Sequence, residues 1–175
     1  MSYILTNIPI DVVKSNVGGV KSIFVMPFQN LSGSVQVSGS SVTAIPIQSG
    51  SGNYFAQYNF RKQTGTAKDE LKISDENASV YTDQEVNVEF TRVEAVKQAQ
   101  LSMTATSDLL IIVLDNLGQY KLYGAANGMV PVTFEADSGK KYGDGSKYKL
   151  SFKGVEYAYA PFVSSGMITT LTTPA

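Results

Sequence analysis

The sequence predicts a mainly β protein: a β-sandwich or closed β-barrel with one flanking α-helix at about 94–107 and an extended N-terminal arm. Three observations carry this. Val86, Val88 and Phe90 alternate with Glu85, Asn87, Glu89 and Thr91, and Tyr148, Leu150 and Phe152 alternate with Lys147, Lys149, Ser151 and Lys153, the period-two pattern of half-buried strands. Only one stretch switches to helical spacing, with Val96, Ala99 and Met103 on one face. Short apolar segments bounded by Gly, Ser, Asn and Asp fill the rest of the chain, as in sandwiches and barrels.

Along the chain, residues 1–19 read as an arm. Ile4, Leu5, Ile8, Ile10, Val12 and Val13 are apolar, Pro9 breaks any helix or interior strand, and Gly18-Gly19 closes the segment. Such an arm buries its side chains in its own domain or on a neighbouring subunit. Residues 20–163 form a single β-rich domain. It opens with a short strand holding Ile23–Met26, followed by β candidates on either side of the Gly39-Ser40-Ser41 turn. Tyr54, Ala56, Tyr58 and Phe60 alternate, with Phe55 as the exception.

Residues 62–78 read as a long loop or projecting hairpin, anchored by Leu71 and Ile73 and suited to docking on another subunit. Thr91 is the candidate N-cap of the helix, with Glu94 as its capping-box partner. The continuous run Leu109–Leu114 is a buried strand, returned by the Asp115-Asn116-Leu117-Gly118 turn, and Asn127-Gly128 marks a second turn. Pro131 makes the following alternating segment an edge strand or a bulged one. Residues 164–175 read as a polar tail with weak β preference.

Composition removes several function classes. The 175 residues, 43% hydrophobic and 17% charged, suit one folded domain. No cysteine or histidine is present, so thiolate chemistry, disulfides, histidine ligands and a Ser-His-Asp triad are excluded. A net charge of −1 gives no electrostatic footprint for nucleic-acid binding. There is no apolar run long enough for a membrane-spanning helix. The opening Met1–Leu5 has neither a basic n-region nor a long apolar core, so folding in the cytoplasm, or in a particle assembled there, is expected. Among residues 1–60 the only charged side chains are Asp11, Lys14 and Lys21. Such a stretch is core, partner-covered surface, or a weakly charged β-region.

The motifs that touch on chemistry are weak. Gly18-Gly19-Val20-Lys21-Ser22 lacks the spacer of a phosphate loop and precedes a strand. Asp137, Asp144 and Gly145 lie in a loop without the acidic density of a calcium site, and turn initiation explains them better. Glu85 and Glu89 share one strand face, an arrangement that serves glycosidases at the right separation but is more simply a solvated face. The tyrosines suit strands and interfaces as well as a stacking platform. Ser-Lys dyads stay formally open, with no residue singled out. No enzymatic activity, cofactor or metal is expected.

The order of elements (arm, long charged loop, single helix, hairpin) resembles the tail-tube proteins of tailed bacteriophages and the ring-forming tube protein of type VI secretion. Residues 109–124, Asn127-Gly128 and residues 143–156 look like the C-terminal half of small virion proteins from phages of Bacteroidetes-type hosts. The resemblance implies a sandwich or barrel protomer that joins sheets with its copies into rings, usually hexamers. These stack into a conduit through which DNA passes unbound, contact other tail and connector proteins, and belong to the virion tail assembled in the host cytoplasm. It implies subunit contacts through Ile8, Ile10, Val12 and Val13 of the arm and Arg61, Lys62, Leu71 and Ile73 of the loop. It also implies a lumen lined by Glu85, Asn87 and Glu89, and no membrane insertion. A tail-terminator or head–tail connector ring of the same fold is the nearest alternative. A carbohydrate-binding or adhesin β-sandwich is the alternative from another class.

Overall fold

The computed structural model describes residues 8, 17–50, 52–74, 76, 79–141 and 144–172. Two open sheets pack face to face, so of the two architectures predicted the sandwich is the one adopted, with no closed barrel among the described residues. The strands are β1 (Val20–Pro27), β2 (Gln36–Ser38), β3 (Ser41–Ala44), β4 (Ala56–Asn59), β5 (Gly65–Ser74), β6 (Ser79–Thr91), β7 (Leu109–Asp115), β8 (Tyr120–Tyr123), β9 (Val130–Asp137), β10 (Lys147–Glu156) and β11 (Phe162–Val163). The helices are α1 (Ala95–Thr104) and α2 (Ser165–Thr172). One sheet has seven strands in the order β2-β3-β11-β8-β7-β1-β4. The other has four, β5-β6-β10-β9, each antiparallel to its neighbour.

The continuous apolar run of β7 is explained by burial on both faces. Leu109, Ile111 and Val113 join Val86, Val88, Phe90, Tyr148, Leu150 and Phe152 in the core between the sheets. Leu110, Ile112 and Leu114 point the other way, into a second core with Phe24, Met26, Val42, Ile45, Phe55, Ile168 and Leu171. Phe55, the exception to alternation, is the residue that turns to this second core, while Tyr58 and Phe60 pack on the first. Of the described part of the charge-poor N-terminal third, β1, Val42, Ile45 and Phe55 are core, whereas the short β2–β3 hairpin is mostly exposed.

Four expectations change on folding. Residues 164–175 are not simply a polar tail: α2 covers the seven-stranded sheet with Ile168 and Leu171, and Phe55 N–H donates to Leu171 O at 2.9 Å. Of the long loop or projecting hairpin expected at 62–78 the hairpin forms, but as regular sheet: β5 pairs with a thirteen-residue β6 that starts well before Glu85. The face of α1 that carries Val96 and Met103 points to solvent (75% and 68% exposed), and Leu101 and Thr104 dock instead. Thr91 does not cap α1: it ends β6, Arg92 turns the chain at φ +70°, and Glu94 occupies the N-cap without a side-chain cap bond. The Glu94 carboxylate pairs with Arg92 at 2.8 Å and Lys97 at 3.6 Å instead.

Turns behave as their residues suggest. Asp115 Oδ1 accepts from Leu117 and Gln119 N–H at 2.9 and 2.8 Å, closing the β7–β8 hairpin. Gly124 has φ +75°, and an added Cβ would lie 2.8 Å from both Gly128 C and Met129 N. Gly124→Ala is expected to cost about 3 kcal/mol, combining left-handed strain with displacement of backbone that cannot yield, measured as a fall in urea midpoint.

The same corner buries a carboxylate. Glu156 is 4% exposed and accepts from Asn127 N–H at 2.9 Å and Ala126 N–H at 3.1 Å. Burial raises its pKa above the ordinary 4.5, against the lowering effect of those two bonds. The folded state thus binds this proton more tightly than the unfolded chain. Its stabilising contribution is complete below pH 4.5 and is lost as pH rises through the folded value. Relative to Glu156→Gln, the wild type is expected to lose stability between pH 4 and pH 7 in paired urea titrations. A pH-independent difference contradicts this assignment.

Candidate assembly surface

The four-stranded sheet has an outer face on which carboxylates and ammonium groups alternate across strands. On β6, Glu85 and Glu89 project outward with Asn87 between them, while Val86, Val88 and Phe90 are buried. Asn87 Nδ2 donates to Glu85 Oε1 at 3.0 Å. Lys147 meets Glu89 at 3.4 Å, Lys153 meets Glu85 at 3.9 Å, and Lys149 meets Glu135 at 3.5 Å. On β5, Lys68 and Lys72 both bind Glu70; these two hydrogen bonds hold its carboxyl down at about 2. The face that carries Glu85, Asn87 and Glu89 is thus a charge-paired surface. Between its charged rows lies a shallow trough lined by Thr66, Asn87, Ser151 and Thr133, residues that pair directly across all four strands.

Parts of the inner face stay exposed. At the far end of the β5–β6 hairpin, Leu71 (36%), Ile73 (69%) and Val80 (55%) are exposed, with Ile73 directly opposite Val80. Along β9, Phe134 and Ala136 pair with buried Leu150 and Tyr148 yet are themselves exposed. Phe134 stacks on the Tyr148 ring at 5.8 Å. Beside them Val132 is the extra residue of a bulge. β9 is thus both an edge strand and a bulged one, as Pro131 requires. Both edges of this sheet, β5 and β9, lack a partner strand among the described residues.

The predicted contact residues do not form one patch. Leu71 and Ile73 sit near the hairpin tip. Arg61 and Lys62 are exposed at the opposite end of β5, where Thr64 Oγ1 donates to Arg61 O at 2.6 Å. Ile8 is 94% exposed, and Ile10, Val12 and Val13 lie outside the described residues. Glu85, Asn87 and Glu89 do share one face. Sequence reasoning missed Val80, Val132 and Phe134, whose alternation is visible but whose exposure depends on how far the second sheet extends.

Asp137 Oδ1 accepts from Gly139 N–H at 2.9 Å and Asp144 Oδ2 from Lys140 and Lys141 N–H at 3.1 and 2.9 Å, so both carboxylates brace turns. Among the described residues, no group of three or more acidic side chains could hold a metal ion. No described helix is long and apolar enough to cross a membrane. Comparison with protein-family models, with curated proteins and with solved structures found no match.

Proposed function

We propose that this chain is a structural subunit that works by binding copies of itself, and specifically a tail-tube subunit whose stacked rings form a conduit for DNA. The observation that carries the reading is the four-stranded sheet whose two edges, unpaired among the described residues, run in opposite directions. β5, β6, β10 and β9 alternate in direction, so a rotation about an axis along the strands sets β9 of one copy antiparallel to β5 of the next. That is the favourable ladder. The joint is heterologous and closes into a ring when the rotation divides a full turn. Because the seven-stranded sheet covers the middle of the inner face, ring closure turns the charge-paired face with Glu85, Asn87 and Glu89 toward the lumen. Lysines already engaged by carboxylates offer little to hold phosphates.

The exposed tip residues Leu71, Ile73 and Val80 then suit contacts between stacked rings. Such a subunit belongs to a virion tail and meets other tail and connector proteins. Negative-stain imaging of the concentrated protein tests the reading. Tubes of stacked rings are the expected result, single rings favour the terminator or connector role, and isolated particles overturn it.

A second reading has one specific support. Tyr157 and Tyr159 are 78% and 56% exposed, and Tyr157 borders a groove with Lys68, Asp83 and Lys153. A carbohydrate-binding module predicts a monomer with saturable glycan binding that Tyr157→Ala abolishes.

A further inference from the structure

We propose that the N-terminal arm of one copy packs its Ile8, Ile10 and Val12 side chains on the uncovered inner face of β9 in the next copy. This rests on the assembly reading above and names the surface that its joint uses.

Three observations converge. The first is the pattern of the arm. Ile8, Ile10 and Val12 alternate with Pro9, Asp11 and Val13, so an extended chain presents three β-branched side chains on one side. Ile8 is 94% exposed in the isolated chain. The second is the place where the arm leaves the domain. Asn116 N–H donates to Gly19 O at 3.2 Å and Asn116 Nδ2 to Gly18 O at 2.8 Å. Val17, Gly18 and Gly19 line one groove with Thr66, Ala67, Val113 and Tyr123. The root therefore lies beside the β5 edge, on the inner side of the four-stranded sheet. The third is the position of the bare apolar face. Phe134 and Ala136 belong to β9, the opposite edge of the same sheet, and face the same side as the root, with the exposed bulge residue Val132 beside them.

Register decides between the two exposed apolar patches. Thr66 and Ala67 continue across the sheet as Asn87 and Val86, then Ser151 and Phe152, then Thr133 and Pro131. The root thus stands level with Val132. The patch of Leu71, Ile73 and Val80 lies about six residues further along β5, roughly 20 Å away. When β5 of one copy meets β9 of the next, the neighbour's Val132 and Phe134 come within about one strand spacing, ~5 Å, of the root's own edge. Within a single copy the same face is three strand spacings away, and the packed core blocks the direct path between the sheets.

The chain has no cysteine, which makes a disulfide test clean. Full-length protein carrying a cysteine at Ile8, Ile10 or Val12 is mixed with full-length Val132→Cys protein under mild oxidation. At least one pair is expected to give about tenfold more linked two-chain product than the same arm variants mixed with Ser34→Cys, because assembly raises the local thiol concentration. Val132→Asp, at a residue 58% exposed, is expected to melt like wild type and to lose the oligomer. Normal rings with no preferential cross-link, or with undisturbed Val132→Asp assembly, overturn this inference and leave the assembly reading intact. A chain that never oligomerises overturns both. A disulfide confined within single copies of the doubly substituted Ile10→Cys/Val132→Cys protein shows that the arm covers its own β9, and also overturns the proposal.

Discussion

Val88→Asp is expected to abolish folding of the subunit. Val88 is 1% exposed and sits in the core between the sheets, paired with Leu150 on one side and Gly65 on the other. The substitution forfeits about 2 kcal/mol of apolar burial and places a carboxylate where no described cation reaches it. Burying an unpaired charge costs several kcal/mol more, or forces protonation. Against a total stability of about 5–15 kcal/mol for a domain, that sum removes the folded state. Far-UV circular dichroism and a thermal melt read the result, and a cooperative melt within a few degrees of wild type contradicts the register of β6. The neighbouring outward position gives the comparison: Asn87→Asp puts its charge on the open face, loses only the bond to Glu85 and lowers the melt by a few degrees at most, with the fold kept.

The second large effect falls on assembly. Leu71→Asp/Ile73→Asp is expected to leave the chain folded and to prevent the proposed rings from stacking. Both residues lie on the overhanging part of the β5–β6 hairpin and are 36% and 69% exposed, so each substitution alters stability by only about 0.5 kcal/mol. Apolar surface offered to a partner loses its driving force once charged, and like charges from successive rings repel. Electron microscopy of the variant is expected to give single rings. Tubes of wild-type length remove the hairpin tip from the stacking contact.

Much of the fold was legible because burial follows short-range pattern where the layers are complete. Val86, Val88 and Phe90 on β6 and Tyr148, Leu150 and Phe152 on β10 alternate because one side of their sheet is solvated. Leu109–Leu114 does not alternate because cores lie on both sides of β7. The first half of β6 was hidden because two inward positions are polar. Thr82 and Gln84 are fully buried, and Gln84 Oε1 accepts from Gly124 N–H at 2.9 Å. α2 was hidden by composition: Gly166 and three threonines disfavour a helix, and packing of Ile168 and Leu171 overrides that preference.

The same contrast governs the surface. Which α1 side chains face the core is set by the neighbouring sheet, so Val96 and Met103, the apolar stripe, stay outside while Leu101 docks. The alternation of β9 was plain, but its exposure was not, because exposure depends on the four-stranded sheet overhanging its partner. Glu85, Asn87 and Glu89 were placed on one face by period alone, whereas their pairing with β10 lysines required the strand order.

Sedimentation velocity of the untagged full-length chain over a wide concentration range tests self-assembly most directly. A subunit built to join copies of itself is expected to give a discrete closed species at a fixed multiple of 18.8 kDa, with longer assemblies growing from it. A single species of 18.8 kDa at every concentration contradicts the account.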